Sequence, residues 1–408
     1  MVNNSVCFVS HARITIKRSN KVFVSKDIFY VGVNDKKVDL FEGQFVVPLG
    51  MAYNSYVIAD DKITVMDSVE GDFAGEWLDN IEKVCNGKSP AYLVVQHMEP
   101  DHSSGITAFM QKYPEAVIVS SAAAFTMMAN FYKNDYKERR MVVTNGSTLE
   151  LGKHTLNFVT APMVHWPEVI MTYEQTEKVL FSADAFGKFG ANDVEDPEGW
   201  ACEARRYYFG IVGKFGVQVQ ALLKKVAGLE INTICPLHGP VLNENLGYYV
   251  NLYDIWSGYR AESRGVLISY TSVYGNTKKA AELLKGKLTA YGCKTVVLND
   301  LARKDIHECV EDAFRYDKQV LATTTYNGGV FPKMKEFIDH LTERKYKNRT
   351  LAFIENGSWA PVATKAMKEM FAGSEGLTFA ENNVKIMSAL DDNSIAEIDA
   401  LAKELADA

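Results

Sequence analysis

Two rhythms of apolar and polar positions run along the chain, and they change near residue 260. Before that point most apolar runs are short, β-branched and closed by turn residues. Residues 21–24 and 28–33 read as edge or opening strands. Residues 56–59 and 63–66, divided by Asp60-Asp61-Lys62, read as a hairpin. Phe73, Trp77, Ile81 and Val84 fall at helical spacing, so residues 73–85 are expected to form a helix. The run Ala91-Tyr92-Leu93-Val94-Val95 predicts a buried strand. Helix is then expected over 106–113, strand over 116–120 and helix over 122–132. Residues 140–182 are strand-rich, with Asn145-Gly146 as a turn signal, and 245–256 are helical. Strand–helix alternation with inserted hairpins predicts an α/β domain of two sheets flanked by helices, not an all-β fold.

Beyond residue 260 strands and helices alternate regularly. Gly265-Val266-Leu267-Ile268-Ser269-Tyr270 opens as a strand, and Ala280, Leu283, Leu284 and Leu288 mark one face of the helix that follows. Further strands are expected at 320–323 and 351–354. Helical stripes appear at Met334, Phe337, Ile338 and Leu341, and at Ile395, Ile398, Leu401 and Leu405. That alternation predicts a doubly wound parallel sheet. The polar, aperiodic stretch Ser257-Gly258-Tyr259-Arg260-Ala261-Glu262-Ser263-Arg264 marks the boundary, giving domains at 1–258 and 265–408.

Composition narrows the function classes. The 408 residues are 47% apolar and 23% charged, as in an ordinary globular protein, and a net charge of −7 lacks the basic footprint of a nucleic-acid binder. Six cysteines, at 7, 85, 202, 235, 293 and 309, are scattered without a Cys-x-x-Cys pair. That usage fits a reducing compartment and argues against a rubredoxin-type centre within these residues. No apolar run approaches the ~20 residues of a membrane span, and Arg13, Lys17 and Arg18 interrupt the N-terminus early. A cytoplasmic protein is expected.

Candidate chemistry concentrates in Gln96-His97-Met98-Glu99-Pro100-Asp101-His102, which follows the predicted strand 91–95. Pro100 biases the residue before it away from helical geometry, so a loop is expected here. Alone, the stretch leaves a polar surface loop as the minority alternative, and a single histidine beside apolar residues is more often a core residue. Three later runs change that weighting. Ala161-Pro162-Met163-Val164-His165-Trp166, Phe181-Ser182-Ala183-Asp184 and Cys235-Pro236-Leu237-His238-Gly239 each deliver one His or Asp beyond an apolar run. His97, Glu99, Asp101, His102, His165, Asp184 and His238 together supply a two-metal site with Asp184 able to bridge, and His154 reads as a bystander. Imidazole with added carboxylates favours non-haem iron, with zinc as the competitor. Asp67 reads as a supporting carboxylate or a turn cap. The polar loop 188–200 is expected to pass the metals, with Trp166, Phe186, Phe189 and Trp200 as candidate wall residues.

In the second domain, Thr271, Ser272, Val273, Tyr274, Gly275, Asn276 and Thr277 form a hydroxyl-rich loop between a strand and a helix N-terminus, where backbone N–H groups and the helix dipole favour an anion. It contains no Walker A or Gly-x-Gly-x-x-Gly pattern. Two more strand-end loops hold Thr325, Tyr326, Asn327, Gly328 and Gly329, and Asn356, Gly357, Ser358 and Trp359. Ligands of open α/β sheets bind beyond such strand ends.

The pattern His97-x-Glu99-x-Asp101-His102, with His165, Asp184 and His238, resembles the metallo-β-lactamase-fold core of flavodiiron proteins, an αββα sandwich. Hydrolases of that superfamily carry His where this chain has Glu99. The second half resembles flavodoxin: 271–277 matches its phosphate loop, while 326–329 and 356–359 match the loops framing the flavin ring. The run Thr323-Thr324-Thr325 departs from many relatives in lacking Pro before Thr. The resemblance covers nearly the whole chain. It implies FMN, two irons bridged by Asp184, and reduction of dioxygen to water or of nitric oxide to nitrous oxide. It also implies an external donor, a rubredoxin-like protein or reduced deazaflavin cofactor, and a head-to-tail homodimer or a dimer of dimers. A di-zinc hydrolase with an accessory flavin domain, and a flavin electron carrier with a vestigial metal domain, are the competing classes.

Overall fold

A computed structural model describes residues 22–407 of the chain. The expectations for residues 1–21, including the start of the opening strand and the charged N-terminus, lie outside the described residues. By compactness the chain divides into two units, one of residues up to 208 plus 217–253, the other of 209–216 plus 254 onward.

The first unit is built on two sheets. In the larger, the strands run in the order Val22–Phe23, Ile28–Tyr30, Tyr56–Ile58, Thr64–Met66, Tyr92–Val94, Val117–Ser120 and Arg140–Val142. The hairpin end pairs antiparallel, and the pairing turns parallel from Thr64–Met66 onward. The second sheet runs Thr148–Glu150, Thr155–Thr160, Ile170–Glu174, Val179–Phe181 and Thr233–Cys235, with its last pair parallel. The sheets face each other across one apolar layer, where Ile28, Tyr56, Ile58, Met66, Val94 and Val119 meet Leu156, Phe158, Ile170, Phe181 and Cys235. Each such side chain removed from water contributes about 1.5–3 kcal/mol, so the layer binds the sheets and sets where their strand ends lie. Helices complete an αββα sandwich. In Ala74–Cys85 the stripe Trp77, Ile81 and Val84 is buried, as its spacing predicts, and Trp77 Nε1 donates to Ser55 Oγ at 2.8 Å.

The second unit is a parallel sheet whose order places the first strand between the second and third: Val296–Asp300, Ser263–Tyr270, Tyr316–Tyr326, Thr350–Asn356, then Thr378–Phe379 and Val384–Ile386. Met334, Phe337, Ile338 and Leu341 are all buried in Pro332–Glu343. Two stripe positions differ from expectation. Ile395 is an exposed residue at the start of Asp392–Asp407, and Ser394 takes the buried place by exchanging hydrogen bonds with Asp391. Leu283 is only partly buried, and Ala281 packs inward beside Ala280 instead. The first is a shift of one residue, less than a third of a helical turn, and the second moves the buried face from the Leu283 side of Ala280 and Leu284 to the Ala281 side; periodicity alone resolves neither.

Candidate metal centre and flavin-type site

All four ligand-bearing stretches leave the C-terminal ends of strands: Tyr92–Val94, Thr155–Thr160, Val179–Phe181 and Thr233–Cys235. Backbone bonds lock these ends together. Ile170 N donates to Gln96 O, Ser182 N to Cys235 O, and Leu237 N to Ala183 O. Asn54 Nδ2 donates to the carbonyls of Pro236 and Gly239, and Tyr56 Oη to Pro236, so three side-chain hydrogen bonds hold the His238 loop. Asp67, buried and with positive φ, accepts from Gln96 N at 2.6 Å and Gln96 Nε2 at 2.8 Å. It steadies the base of the 96–102 stretch.

That stretch is not wholly a loop. Pro100–Ser103 is a single helical turn with Pro100 at its first position and Glu99, outside αR geometry, as its cap. Proline lacks only an N–H that a first-turn residue does not use, so it starts the turn while still keeping Glu99 extended.

The seven residues form two groups. In one, His97 Nε2 lies 3.2 Å from His165 Nε2, and Glu99 Oε2 lies 3.3 and 3.0 Å from those two nitrogens. In the other, His102 Nε2 lies 2.9 Å from His238 Nε2, with Asp101 Oδ2 at 3.3 Å from both. Asp184 stands between them. Its Oδ2 is 2.9 Å from His165 Nε2 and 3.4 Å from His97 Nε2, and its Oδ1 is 3.4 Å from His102 Nε2 and 3.9 Å from His238 Nε2. Both oxygens of Asp184 and both of Asp101 are buried and make no hydrogen bond.

Chemistry tests the fit of metal ions to this set. His97 Nδ1 faces Glu168 Oε1 at 2.9 Å and His238 Nδ1 faces Ala52 O at 2.8 Å, so each ring keeps its proton there and presents a lone pair at Nε2. Lone pairs converging at such distances repel unless a cation or proton lies among them. Ligands at about 2.1 Å from a common ion sit roughly 3.0–3.4 Å apart, which matches the spacing within each group. Burial opposes charge on His97 and His165, yet Asp184 and Glu99 outweigh it at both, with Glu168 adding to them at His97. They raise His97 well above its usual range and His165 to about 9. His238 is raised against burial by Asp101 and Asp184. Burial likewise fails to lift Glu99 and Asp184, which His165, His97 and His102 hold low.

The surrounding rings differ partly from expectation. Trp166 lies edge-on to His97, with centroids 5.2 Å apart. Trp200 instead packs on Tyr249, and Phe186 on Tyr253. Phe189 reaches the centre through Phe41 and Tyr207, whose rings lie 5.5 and 5.4 Å from that of His238. Phe41, Tyr53, Tyr207 and Glu168 were not singled out from the sequence. Only Glu168 carries a sequence signal, an acidic residue three positions after His165.

In the second unit the three expected loops leave the C-terminal ends of parallel neighbouring strands. Gly275, at φ +90°, turns the chain into the helix Asn276–Ala290, a conformation costly for other residues. Thr277 Oγ1 is buried without a partner at that helix start. Thr271 differs: its hydroxyl shares a 2.7 Å hydrogen bond with Thr323. Thr325 Oγ1 accepts from Val362 N and Ala363 N, and the Asn356 side chain pairs with the Ser388 backbone, so both brace the loops from behind. Tyr274, Tyr326 and Trp359 stand 93%, 46% and 81% exposed. Orphaned Thr277, exposed aromatics and a helix N-terminus suit a phosphate joined to a flat ring.

Comparison with known proteins agrees with these two sites. Residues 51–239 match the model of the ODP family beta lactamases, and residues 267–381 match a flavodoxin domain. The chain is 30% identical to a nitric oxide reductase of Moorella thermoacetica, covering 89% of this chain and 92% of that one. It is 29% identical to an anaerobic nitric oxide reductase flavorubredoxin of Salmonella arizonae, over 83% of this chain and 72% of that one. Rubredoxin oxygen:oxidoreductase of Desulfovibrio gigas superposes with a TM-score of 0.87 at 25% identity, covering 95% and 98% of the two chains. The flavodiiron protein of Giardia intestinalis gives 0.84 at 25%, covering 96% and 97%. Fold and sites thus define a metallo-β-lactamase-type oxidoreductase domain fused to a flavodoxin domain. The chain belongs to the flavodiiron protein family.

Two outcomes follow from the site chemistry. Metal uptake must displace protons from His97, His165 and His238, so affinity for a divalent ion should rise with pH between 6.5 and about 9. Proton release on titrating metal into the metal-free protein at pH 7 checks this, and pH-independent uptake would contradict it. In metal-free protein the raised His165 contributes stability that is complete below 6.5 and lost as pH rises through about 9. Separately, Thr277→Val should weaken flavin binding by roughly 1–3 kcal/mol through loss of a donor to a charged acceptor, while Thr271→Val should weaken it less. Equal effects in a flavin titration would place the phosphate elsewhere.

Proposed function

We propose that this chain reduces dioxygen to water, nitric oxide to nitrous oxide, or both, using FMN in residues 265–408 and a diiron centre in residues 1–258. The observation that carries this reading is the bare, buried carboxylate of Asp184 between two His–carboxylate groups. His97, Glu99 and His165 would hold one iron, Asp101, His102 and His238 the other, with Asp184 shared. When bound, FMN would supply one- or two-electron transfer, and the irons would supply Lewis acidity and redox capacity.

The chain's own residues supply the rest. Glu168 and the Ala52 carbonyl fix the ring orientation of His97 and His238. Phe41, Tyr53 and Tyr207 close around His238 and keep water from it. In the flavin domain the loop 271–277 would bind the phosphate, with Thr277 and backbone N–H groups as donors. Residues 325–329 and 356–359 would frame the ring, with Tyr326 and Trp359 offering stacking faces. Two of the named relatives are nitric oxide reductases and a third is an oxygen oxidoreductase, which favours an oxidoreductase over a di-zinc hydrolase. Electrons would come from a separate donor, a rubredoxin-like protein or a reduced deazaflavin.

Steady-state gas consumption, measured separately with dioxygen and nitric oxide under a reducing flavin supply, tests the function. Asp184→Ala should lose most of about two irons per chain and more than about 100-fold in rate. Two zincs from iron-replete expression, with neither gas consumed, would overturn the reading.

Electron transfer between the sites is assigned to a two-fold head-to-tail dimer, in which each domain meets the other kind on its partner. Co-expressing Asp184→Ala with a chain disrupted in loop 271–277 tests it. Random pairing leaves half the dimers mixed, each with one working pair of two, so roughly a quarter of full activity should return. Verified mixed dimers with no activity would exclude transfer between chains.

A further inference from the structure

A second cluster of ligand-type side chains lies at the other end of the same strands. The strand Thr155–Thr160 runs from His154 towards His165, and its partner Ile170–Glu174 returns alongside it, with Thr160 opposite Ile170 and Leu156 opposite Glu174. Six strand residues at about 3.4 Å each put His154 roughly 20 Å from the centre described above. At this end Asp27, just before the strand Ile28–Tyr30 of the larger sheet, meets His154 and Glu177 of the smaller one. One donor atom from each lies within 4.8 Å of the others.

We propose that Asp27, His154 and Glu177 form a third metal site that takes one divalent first-row ion, with zinc as its simplest occupant. Three features carry this. His154 is completely buried, and its Nδ1 faces Glu174 Oε1 at 2.9 Å. Glu174 is itself buried and held by the N–H groups of Thr176 and Glu177, so it is a fixed acceptor and the ring proton stays on Nδ1. Carboxylate–imidazole–metal relays have this form. Next, His154 Nε2 has no hydrogen-bond partner although it is buried and stands 3.5 Å from Asp27 Oδ2. A buried, unpartnered acceptor is costly, and an ion beside it removes the cost. Finally, the turn is built rigidly. Asp60 accepts from the backbone N–H groups of Lys153 and His154, which fixes the imidazole before any ion arrives.

One imidazole with two partly buried carboxylates suits zinc, manganese or ferrous iron with water completing the shell. The Lys153 ammonium, which pairs with Asp27 and is 49% exposed, is the group an ion would displace. Its exposure makes that exchange easy, because a surface pair of this kind holds only weakly. Bound there, an ion would tie the first strands of the larger sheet to the β-turns of the smaller one.

The test is equilibrium dialysis of the iron-loaded, full-length protein against zinc, followed by elemental analysis for both metals. The expected result is one zinc per chain beyond any zinc that replaces lost iron, together with a raised thermal midpoint. That extra zinc should disappear in His154→Gln and in Asp27→Asn while iron content stays unchanged. Asp27 is partly exposed, so Asp27→Asn keeps the test decisive if His154→Gln fails to fold. Zinc taken up only in exchange for iron, or retained in full by Asp27→Asn, would overturn the proposal.

Discussion

The carboxylate of Asp184 is the point on which the first domain turns. It is buried, it makes no hydrogen bond, and four imidazole nitrogens lie within 3.9 Å of its two oxygens. A carboxylate so placed would raise its pKa and go neutral if burial acted alone. Asp184 is instead held low by the imidazoles around it, and His97, His165 and His238 are raised in turn by the carboxylates they face. Two cations satisfy all the acceptors at once. The two-sheet core exists, in functional terms, to bring four strand ends close enough for that arrangement.

Rigidity comes from groups that never touch the metals. Asp67 pins Gln96, Glu168 holds His97 and Met98 together, Asn54 and Tyr56 pin Pro236, and Ala52 orients His238. Each anchors a ligand stretch to a strand of the sheet or to a neighbouring loop. A ligand set held this way need not reorganise as electrons arrive, and that preorganisation is worth more than any single contact.

How much of this was legible in the sequence depends on the range of the interaction. The residues 97–102 could be read directly because four donors fall on one short segment. His165, Asp184 and His238 could be read as single donors beyond apolar runs, and became persuasive only as a set. Glu168 and Ala52 could not be found, since their roles arise from tertiary contacts without local periodicity. In sequence Pro100 reads as a helix breaker, whereas at the first helical position it is a helix starter. In the flavin domain the loops were legible, but which hydroxyls face outward was not. Thr271 and Thr325 are spent on Thr323 and on the 362–363 amides, and only a three-dimensional account of partners leaves Thr277 free.

The same accounting separates His154 from the other histidines. As a lone histidine before an apolar strand, it has the sequence context of a core residue, and its neighbours in the chain contain no second donor. Folding brings Asp27 from the opening strands and Glu177 from the next turn, while Glu174 fixes the ring. What distinguishes a core histidine from a ligand is therefore the state of its second nitrogen. His97 and His238 spend Nδ1 on a fixed acceptor and point Nε2 at carboxylates, and His154 does the same. By that physical criterion it resembles the imidazoles proposed to hold the irons, at the opposite end of the strands that carry them.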